Sequence, residues 1–251
     1  MSSGAARTTR TVLTEWSADL GSVPPIASGY TCECCLGPVT TYRQCPGCHA
    51  TFHVAGAPVR LKGRIVPMTS ALNPSRWYSA LASYKGFQPG LGVVLASVAH
   101  HFLHSRATQI RNLLGSDPDL ITIVPSKRGI TYAAQSLRAA LSLIEPIARR
   151  LRQTLSHVEG QTVPRRGYNP AAFAPSGTGV TGMRILLVED AWVSGATALS
   201  AAGALLDAGA TDVLIMPIAR VIDQGFWPDD HPYRIAMRKP WDPDDASAWP
   251  R

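Results

Sequence analysis

The sequence predicts an α/β fold in which a central parallel sheet is flanked by helices and preceded by a small metal-binding module. Short apolar runs rich in β-branched residues, at 120–124, 184–188 and 212–218, are typical of buried strands, and a helical segment at 196–208 separates the last two. A strand, a helix and a strand at this spacing form a βαβ unit, which requires a parallel sheet. All five cysteines fall between Cys32 and Cys48, and this clustering indicates a metal site rather than a disulfide framework.

The composition is that of a globular protein with a bias towards anionic partners. The chain has 251 residues, of which 45% are hydrophobic and 16% charged, and this suits one full domain with a small extra module. A formal net charge of +7 favours phosphates, nucleic acid or anionic lipid, the alternative being a modest surface excess of arginine. No run approaches the roughly 18 apolar residues of a membrane helix, and residues 1–13 lack the apolar stretch of a secretory signal. We therefore expect a cytoplasmic protein without membrane insertion, and a dimer is one option for its oligomeric state.

Four segments follow one another along the chain. Residues 1–29 are rich in Ser, Ala, Thr and Gly and are expected to form a flexible leader with little structure. Residues 30–75 contain the cysteines and a proline-containing linker or short strands. The sheet and its helices are expected within 76–222, and residues 223–251, with their Trp-Pro pairs, are expected to form an irregular tail.

Helices are predicted between the strands. Apolar residues favour a helix from 91 to 102 that continues to about 114, and a second helix over 131–157 that is interrupted near Pro146. The helix at 196–208 should end at Gly209, because glycine commonly closes a helix.

The cysteines form two knuckles, Cys32-x2-Cys35 and Cys45-x2-Cys48, separated by nine residues. Four thiolates at this spacing can surround a tetrahedral zinc ion, and a site closed by four thiolates is structural rather than catalytic. We expect Cys34 not to be a ligand because its side chain would point away from the knuckle. His49 in place of Cys48 is the alternative ligand set.

Residues 188–197 carry the most informative pattern. Glu189 and Asp190 stand at the end of a predicted strand, where ligands of open α/β sheets bind, and a short loop then leads into a helix. Amides at a helix N-terminus favour phosphate, Gly195 lets the backbone close around it, and Ser194 and Thr197 can donate hydrogen bonds. The carboxylates suit sugar hydroxyls and a magnesium-bound ligand. The segment therefore predicts a site for a phosphorylated ribose, the alternative being an ordinary strand–turn–helix with Ser194 as the helix cap.

At these residues the sequence resembles the phosphoribosyl pyrophosphate (PRPP) signature of type I phosphoribosyltransferases, with an apolar strand, two acids, a loop ending in Ser-Gly-x-Thr and a helix. The resemblance implies the type I phosphoribosyltransferase fold, with Glu189 and Asp190 at the ribose hydroxyls and Mg²⁺ bound together with PRPP. It also implies that the 5′-phosphate is wrapped by Ala191, Trp192, Val193, Ser194, Gly195, Ala196 and Thr197. The motifs of a P-loop and of a dinucleotide-binding Rossmann domain are both absent.

Two further segments resemble parts of the same family. Ser126, Lys127, Arg128 and Gly129, after the first strand, resemble its pyrophosphate loop, and their charges and donors suit that ligand. Residues 165–173, which begin with two arginines, resemble the segment before the PRPP strand in ComF-like proteins. The alternative for each is a solvated basic turn.

The order of these motifs resembles that of ComF-like proteins over about residues 32–220: a four-cysteine zinc ribbon, a Tyr84-Lys85-Gly86 segment and then the phosphoribosyltransferase elements. That family is associated with natural competence and DNA uptake. One departure is Val193, where enzymes acting on 6-oxopurines have a carboxylate, so that substrate class is disfavoured. Another is Trp192, which would either stack on a ligand base or, as we expect, pack against the neighbouring loop.

The resemblance implies transfer of a phosphoribosyl group to an unidentified nitrogen acceptor. The catalytic residues would be Lys127 and Arg128, which stabilise the leaving pyrophosphate, and Glu189 and Asp190, which fix the ribose. The alternative is a competence-related DNA-uptake factor that keeps the fold as a PRPP- or nucleotide-binding or regulatory module without catalysis. Weak, nonspecific nucleic-acid binding would come from the ribbon and from the arginines at 149, 150, 152, 165 and 166.

Overall fold

The structure, a computed structural model, describes residues 3–25, 29–85, 88–125, 132–175 and 179–242. Strands in these ranges are β1 (Thr69–Asn73), β2 (Leu120–Ile123), β3 (Leu155–His157), β4 (Phe173–Pro175), β5 (Arg184–Trp192) and β6 (Asp212–Asp223). Four of them form a central sheet in the order β1-β6-β5-β2, in which every neighbouring pair is parallel. Strands β3 and β4 form a separate antiparallel pair.

The helices of the described ranges are α1 (Ser3–Trp16), α2 (Pro46–His49), α3 (Arg76–Ser83), α4 (Gly92–Ser105), α5 (Ala107–Leu114), α6 (Tyr132–Ser142), α7 (Glu145–Ala148), α8 (Ala196–Asp207) and α9 (Pro232–Met237). Short 3-10 segments occur at Val59–Leu61, Pro89–Leu91 and Pro170–Ala172, and a π-helical turn at Ala50–Val54. Among these helices, none combines the length and the apolar character that a membrane crossing requires.

The central sheet is covered on both faces, as the apolar strands predict. Successive side chains of a strand point to opposite faces. In β5, Leu186 and Val188 pack in the core that contains residues of α3, α4, α5 and α6, whereas Ile185 and Leu187 pack in the core that contains α8. The buried cysteines belong to this second core. The cysteine module, residues 30–53, therefore packs on the α8 face of the sheet.

The predicted βαβ unit is present as β5, α8 and β6, and Gly209, with a φ of +95°, follows the end of α8. Strand β5 is longer than the apolar run predicted, because Ala191 and Trp192 still pair with Ala219 and Arg220 of β6. Both acids consequently lie within the strand, and the connection to α8 consists of residues 193–195.

The leader differs from the expectation of little structure, because α1 occupies 14 of its residues. Val12, Leu13 and Trp16 lie on one side of α1, with Trp16 one helical turn after the other two, and pack against the core, where the Trp16 ring meets Trp77 edge to face with centroids 6.0 Å apart. The composition concealed this helix because polar residues outnumber the apolar ones that form its buried side.

The helix predicted over 131–157 is also shorter than expected. It is divided into α6 and α7, with Pro146 in the first turn of α7, and Leu155 belongs to β3 instead, where it is buried and pairs with Pro175. In the tail, α9 is present, and its buried Tyr233 donates a hydrogen bond to the Leu36 carbonyl at 2.7 Å. The tertiary contacts of Leu155 and Tyr233 decide both local structures.

Candidate functional site

The fold brings together the four cysteines that the spacing selects. The sulfur atoms of Cys32, Cys35, Cys45 and Cys48 all lie within 4.8 Å of one another and are buried. The Sγ atoms of Cys35 and Cys45 are 3.7 Å apart, and sulfurs about 2.3 Å from a tetrahedral zinc ion would be about 3.8 Å apart. The four side chains could therefore hold a metal ion such as zinc.

The two spare candidates lie outside this group. Cys34 is buried, but it does not belong to the group of four sulfur atoms that lie within 4.8 Å of one another. His49 is exposed, and its ring stacks on His53 at a centroid distance of 5.0 Å. The structure therefore favours the four-cysteine set over the alternative that includes His49.

The acidic pair lies at the carboxyl end of the sheet. Glu189 is buried opposite Pro217 of β6, and Asp190 is partly exposed. Tyr84, just after α3, donates its hydroxyl to Asp190 Oδ2 at 2.7 Å, and Lys85 forms an ion pair with the same oxygen. Burial, followed by the charge of Asp190, raises the pKa of Tyr84 far above its usual range, so the hydroxyl remains a donor. The carboxylate of Asp190 is thus held in a fixed position.

Sequence reasoning noted Tyr84 and Lys85 only as part of a motif order and assigned them no role. The only signal in the sequence was that a hydroxyl donor and a cation are adjacent in the chain. Nothing in the sequence indicates that α3 places them at the end of β5.

The turn after β5 is closed around Gly195. This residue has a φ of +79°, and a Cβ atom placed on it would lie 2.0 Å from the Trp192 ring. The Trp192 side chain is only 1% exposed, so its indole packs inside the turn and cannot stack on a ligand base. Val193, in contrast, is exposed. Of the two roles considered for Trp192, the structure therefore supports packing, as expected, rather than stacking on a ligand base.

The turn leads directly into the N-terminus of α8, a helix of 12 residues. Gly195 is the N-cap residue and has no side chain to occupy the amides of the first turn, and the Ser194 hydroxyl lies 3.5 Å from the Ala196 nitrogen. Amides at such a terminus carry a partial positive charge that favours an anion. Ala191 and Thr197 lie on either side of this turn in β5 and α8 and are both half-buried.

Arg220 supports the turn from β6. Its Nη1 atom donates to the carbonyls of Trp192 at 2.9 Å and Val193 at 2.8 Å. Burial lowers the pKa of this guanidinium, but the negative charge at Cys35 and Cys45 raises it more, so Arg220 keeps its charge. No sequence signal distinguished this arginine from the others, because its role depends on the pairing of β5 with β6.

The predicted pyrophosphate loop, Ser126, Lys127, Arg128 and Gly129, lies outside the described residues. The residues that lead into this loop are described. Strand β2 ends at Ile123, which pairs with Val188, and the Val124 amide donates to the Val188 carbonyl at 3.0 Å. The chain therefore leaves β2 beside the two acids of β5.

A cavity of about 320 Å³ opens beside the turn. It lies between the second cysteine knuckle, the turn and the residues that follow β6. Its lining includes Cys45, Gly47, Tyr78, Arg165, Arg166, Val193, Ser194, Arg220, Asp223, Phe226 and Trp227. Cationic and aromatic side chains thus converge next to residues 193–194.

Together these features define an α/β protein with a central parallel sheet, an acidic pair beside a helix N-terminus and a four-cysteine cluster suited to a metal ion. No protein-family model matches the chain, and no curated protein matches it.

Proposed function

We propose that this protein has the type I phosphoribosyltransferase fold, binds PRPP together with Mg²⁺, and transfers the phosphoribosyl group to a nitrogen acceptor. The observation that carries the proposal is the β5–turn–α8 segment, in which two carboxylates stand beside a left-handed glycine and a helix N-terminus. The turn would receive the 5′-phosphate, and Glu189 and Asp190 would accept hydrogen bonds from the ribose hydroxyls.

The chemistry follows from the charges. The bond between the anomeric carbon and the pyrophosphate oxygen breaks, and its electron pair leaves with pyrophosphate. The lone pair of the acceptor nitrogen forms the new bond to that carbon, and the nitrogen then loses its proton to solvent. Lys127, Arg128 and Mg²⁺ would neutralise the leaving group, while Asp190, held by Tyr84 and Lys85, would keep the ribose in position.

The cavity beside the turn would receive the acceptor. Tyr78, Phe226 and Trp227 offer aromatic surfaces, and Arg165 and Arg166 offer positive charge. A planar, electron-rich ring suits such a lining, because aromatic and guanidinium groups both stack on it.

Calorimetric titration with PRPP and Mg²⁺ tests the binding step. The Asp190→Asn variant should bind about 1–3 kcal/mol more weakly, the scale of a hydrogen bond lost from a charged group. Glu145→Gln is the matched control, since this exposed carboxylate on α7 pairs only with Arg149 among its described partners. Unchanged affinity in Asp190→Asn would refute the proposed ribose site.

Release of pyrophosphate with a panel of bases tests the transfer step. Release with one base would identify the acceptor class. If PRPP binds and no base causes release, the protein is a binding or regulatory module, as the competence-related alternative holds. Any binding of DNA to that module should weaken steeply as salt is added, because phosphate contacts release counterions.

A further inference from the structure

We infer that the cysteine module positions residues 193–195, so that a metal ion at the four cysteines sets the geometry of the candidate phosphate-binding turn through Gly47 and Arg220. The inference rests on the proposed function in one respect, namely that the turn is a ligand-binding site. The contacts between module and turn do not depend on PRPP.

The first contact is made by the second knuckle. Gly47 lies between Cys45 and Cys48, and a Cβ atom placed on it would lie 3.5 Å from the Ser194 carbonyl oxygen and 3.9 Å from Cys45 Sγ. The knuckle backbone at Gly47 therefore lies within one side-chain atom of both the turn and a metal-ligand sulfur. Movement of this knuckle would change the space beside the Ser194 carbonyl.

The second contact passes through Arg220, which acts as a positioning residue. Its guanidinium lies so close to Gly37, beside the first knuckle, that a Cβ atom there would be 2.5 Å from the Arg220 Nε atom. The same guanidinium donates to the Trp192 and Val193 carbonyls. Gly37 in turn accepts a hydrogen bond from the Cys32 amide at 2.7 Å. Arg220 thus lies between the first knuckle and the turn.

The metal would hold these two contacts in place. The two knuckles are separate in sequence, and binding of their four thiolates to one ion would fix them relative to each other. The free energy of metal binding would then contribute to the folding free energy. A Zn²⁺ ion with four thiolates also carries a net charge of about −2, which stabilises a buried cation such as Arg220. Loss of the metal would free both knuckles and remove that charge, so the turn would lose support on two sides.

Hydrogen exchange of the full chain, measured by mass spectrometry with zinc and after chelation, tests the inference without any ligand. Chelation should accelerate exchange at residues 192–199 together with residues 30–53, while β2 still exchanges slowly and so reports that the sheet is folded. Acceleration confined to residues 30–53 would overturn the inference.

Two glycine variants distinguish the effect of the knuckle on the turn from a general loss of stability. Gly47→Val keeps all four cysteines and should retain zinc, yet exchange at 192–199 should be faster than in the parent. The control is Gly179→Val, because a Cβ atom there meets nothing within 4 Å. Equal exchange at 192–199 in Gly47→Val, Gly179→Val and the parent would count against the contact.

Arg220→Met tests the positioning role through its dependence on metal. If Arg220 transmits the effect, chelation should accelerate exchange at 192–199 less in this variant than in the parent. An effect of chelation as large as in the parent would show that Arg220 does not transmit it. Failure to bind PRPP would refute the proposed function and leave this coupling intact, whereas loss of coupling with normal PRPP binding would refute only the inference.

Discussion

Asp190 shows how single residues determine the candidate site. Its Oδ2 atom accepts the Tyr84 hydroxyl and pairs with Lys85, so the strand end presents a carboxylate whose position is fixed on one side. Because Tyr84 is buried next to that charge, its pKa lies far above the ordinary 10.0. The site therefore contains a proton that the folded chain retains in alkaline solution and the unfolded chain does not.

This difference predicts a pH dependence. Above pH 10 the unfolded chain loses the Tyr84 proton, so the free energy of unfolding should fall as pH rises, by up to about 1.4 kcal/mol per pH unit for this group. Tyr84→Phe removes that contribution and should show a shallower decline in denaturant titrations between pH 9 and 11. Tyr42→Phe, at an exposed ring, should keep the slope of the parent. Equal slopes in all three proteins would show that Tyr84 does not retain its proton.

The metal site gives a second prediction at the residue scale. Elemental analysis of the parent should show about one zinc ion per chain. Cys45→Ser should lose this ion, because a serine hydroxyl is a poor ligand where a thiolate is required. Cys34→Ser, in a buried cysteine outside the group, should retain the ion. Full zinc content and unchanged stability in Cys45→Ser would refute the assignment of the ligands.

At the scale of elements, the β5–turn–α8 segment combines pairing and close packing. Strand β5 continues to Trp192 because β6 pairs with it that far, and the chain must then turn into α8 within three residues. Gly195 permits this turn through its left-handed conformation and leaves room for the Trp192 ring. A substitution there would therefore disturb the turn before any phosphate is considered.

Gly195→Ala should lower the free energy of unfolding more than Gly63→Ala does. The difference between the two variants should be about 1–3 kcal/mol, the range of overpacking. Both glycines have a left-handed φ, +79° and +72°, but a Cβ atom meets the Trp192 ring only at Gly195 and nothing within 4 Å at Gly63. The comparison thus separates backbone strain from steric overlap. Thermal or denaturant unfolding measures the difference, and equal losses in the two variants would contradict the close packing of Trp192.

At the scale of the whole molecule, the cysteine module and the sheet share one core. The four cysteines pack in the same buried cluster as α8 and Trp192, on the face of β5 formed by Ile185 and Leu187. A zinc module that folds separately from the sheet would loosen by itself on chelation. Because the cysteine module covers part of the sheet, its loss would instead expose apolar surface of the sheet and of α8.

Chelation should therefore lower the midpoint of a single thermal unfolding transition of the full chain. Calorimetry with and without chelator measures this shift, and readdition of zinc should restore the midpoint. Two separate transitions, of which only the smaller responds to the chelator, would indicate a module that folds independently of the sheet.

The sequence alone predicted the elements whose signal is local. The apolar runs of β2, β5 and β6 define buried strands, the β5–α8–β6 unit follows from their spacing, and Gly209 marks a helix end. The paired x2 spacing likewise selected the four cysteines that the fold brings together. These features depend on residues close together in the chain, where periodicity and spacing carry the information.

Only the tertiary structure decided the features that depend on distant contacts. Helix α1 forms against Trp77, β3 forms because β4 pairs with it, and Tyr84 reaches Asp190 because α3 ends beside β5. The contacts of Gly47 and Arg220 with the turn belong to the same class. The physical reason is that hydrogen bonds and packing between distant segments are fixed only when the sheet is assembled, and no local pattern of residues records them.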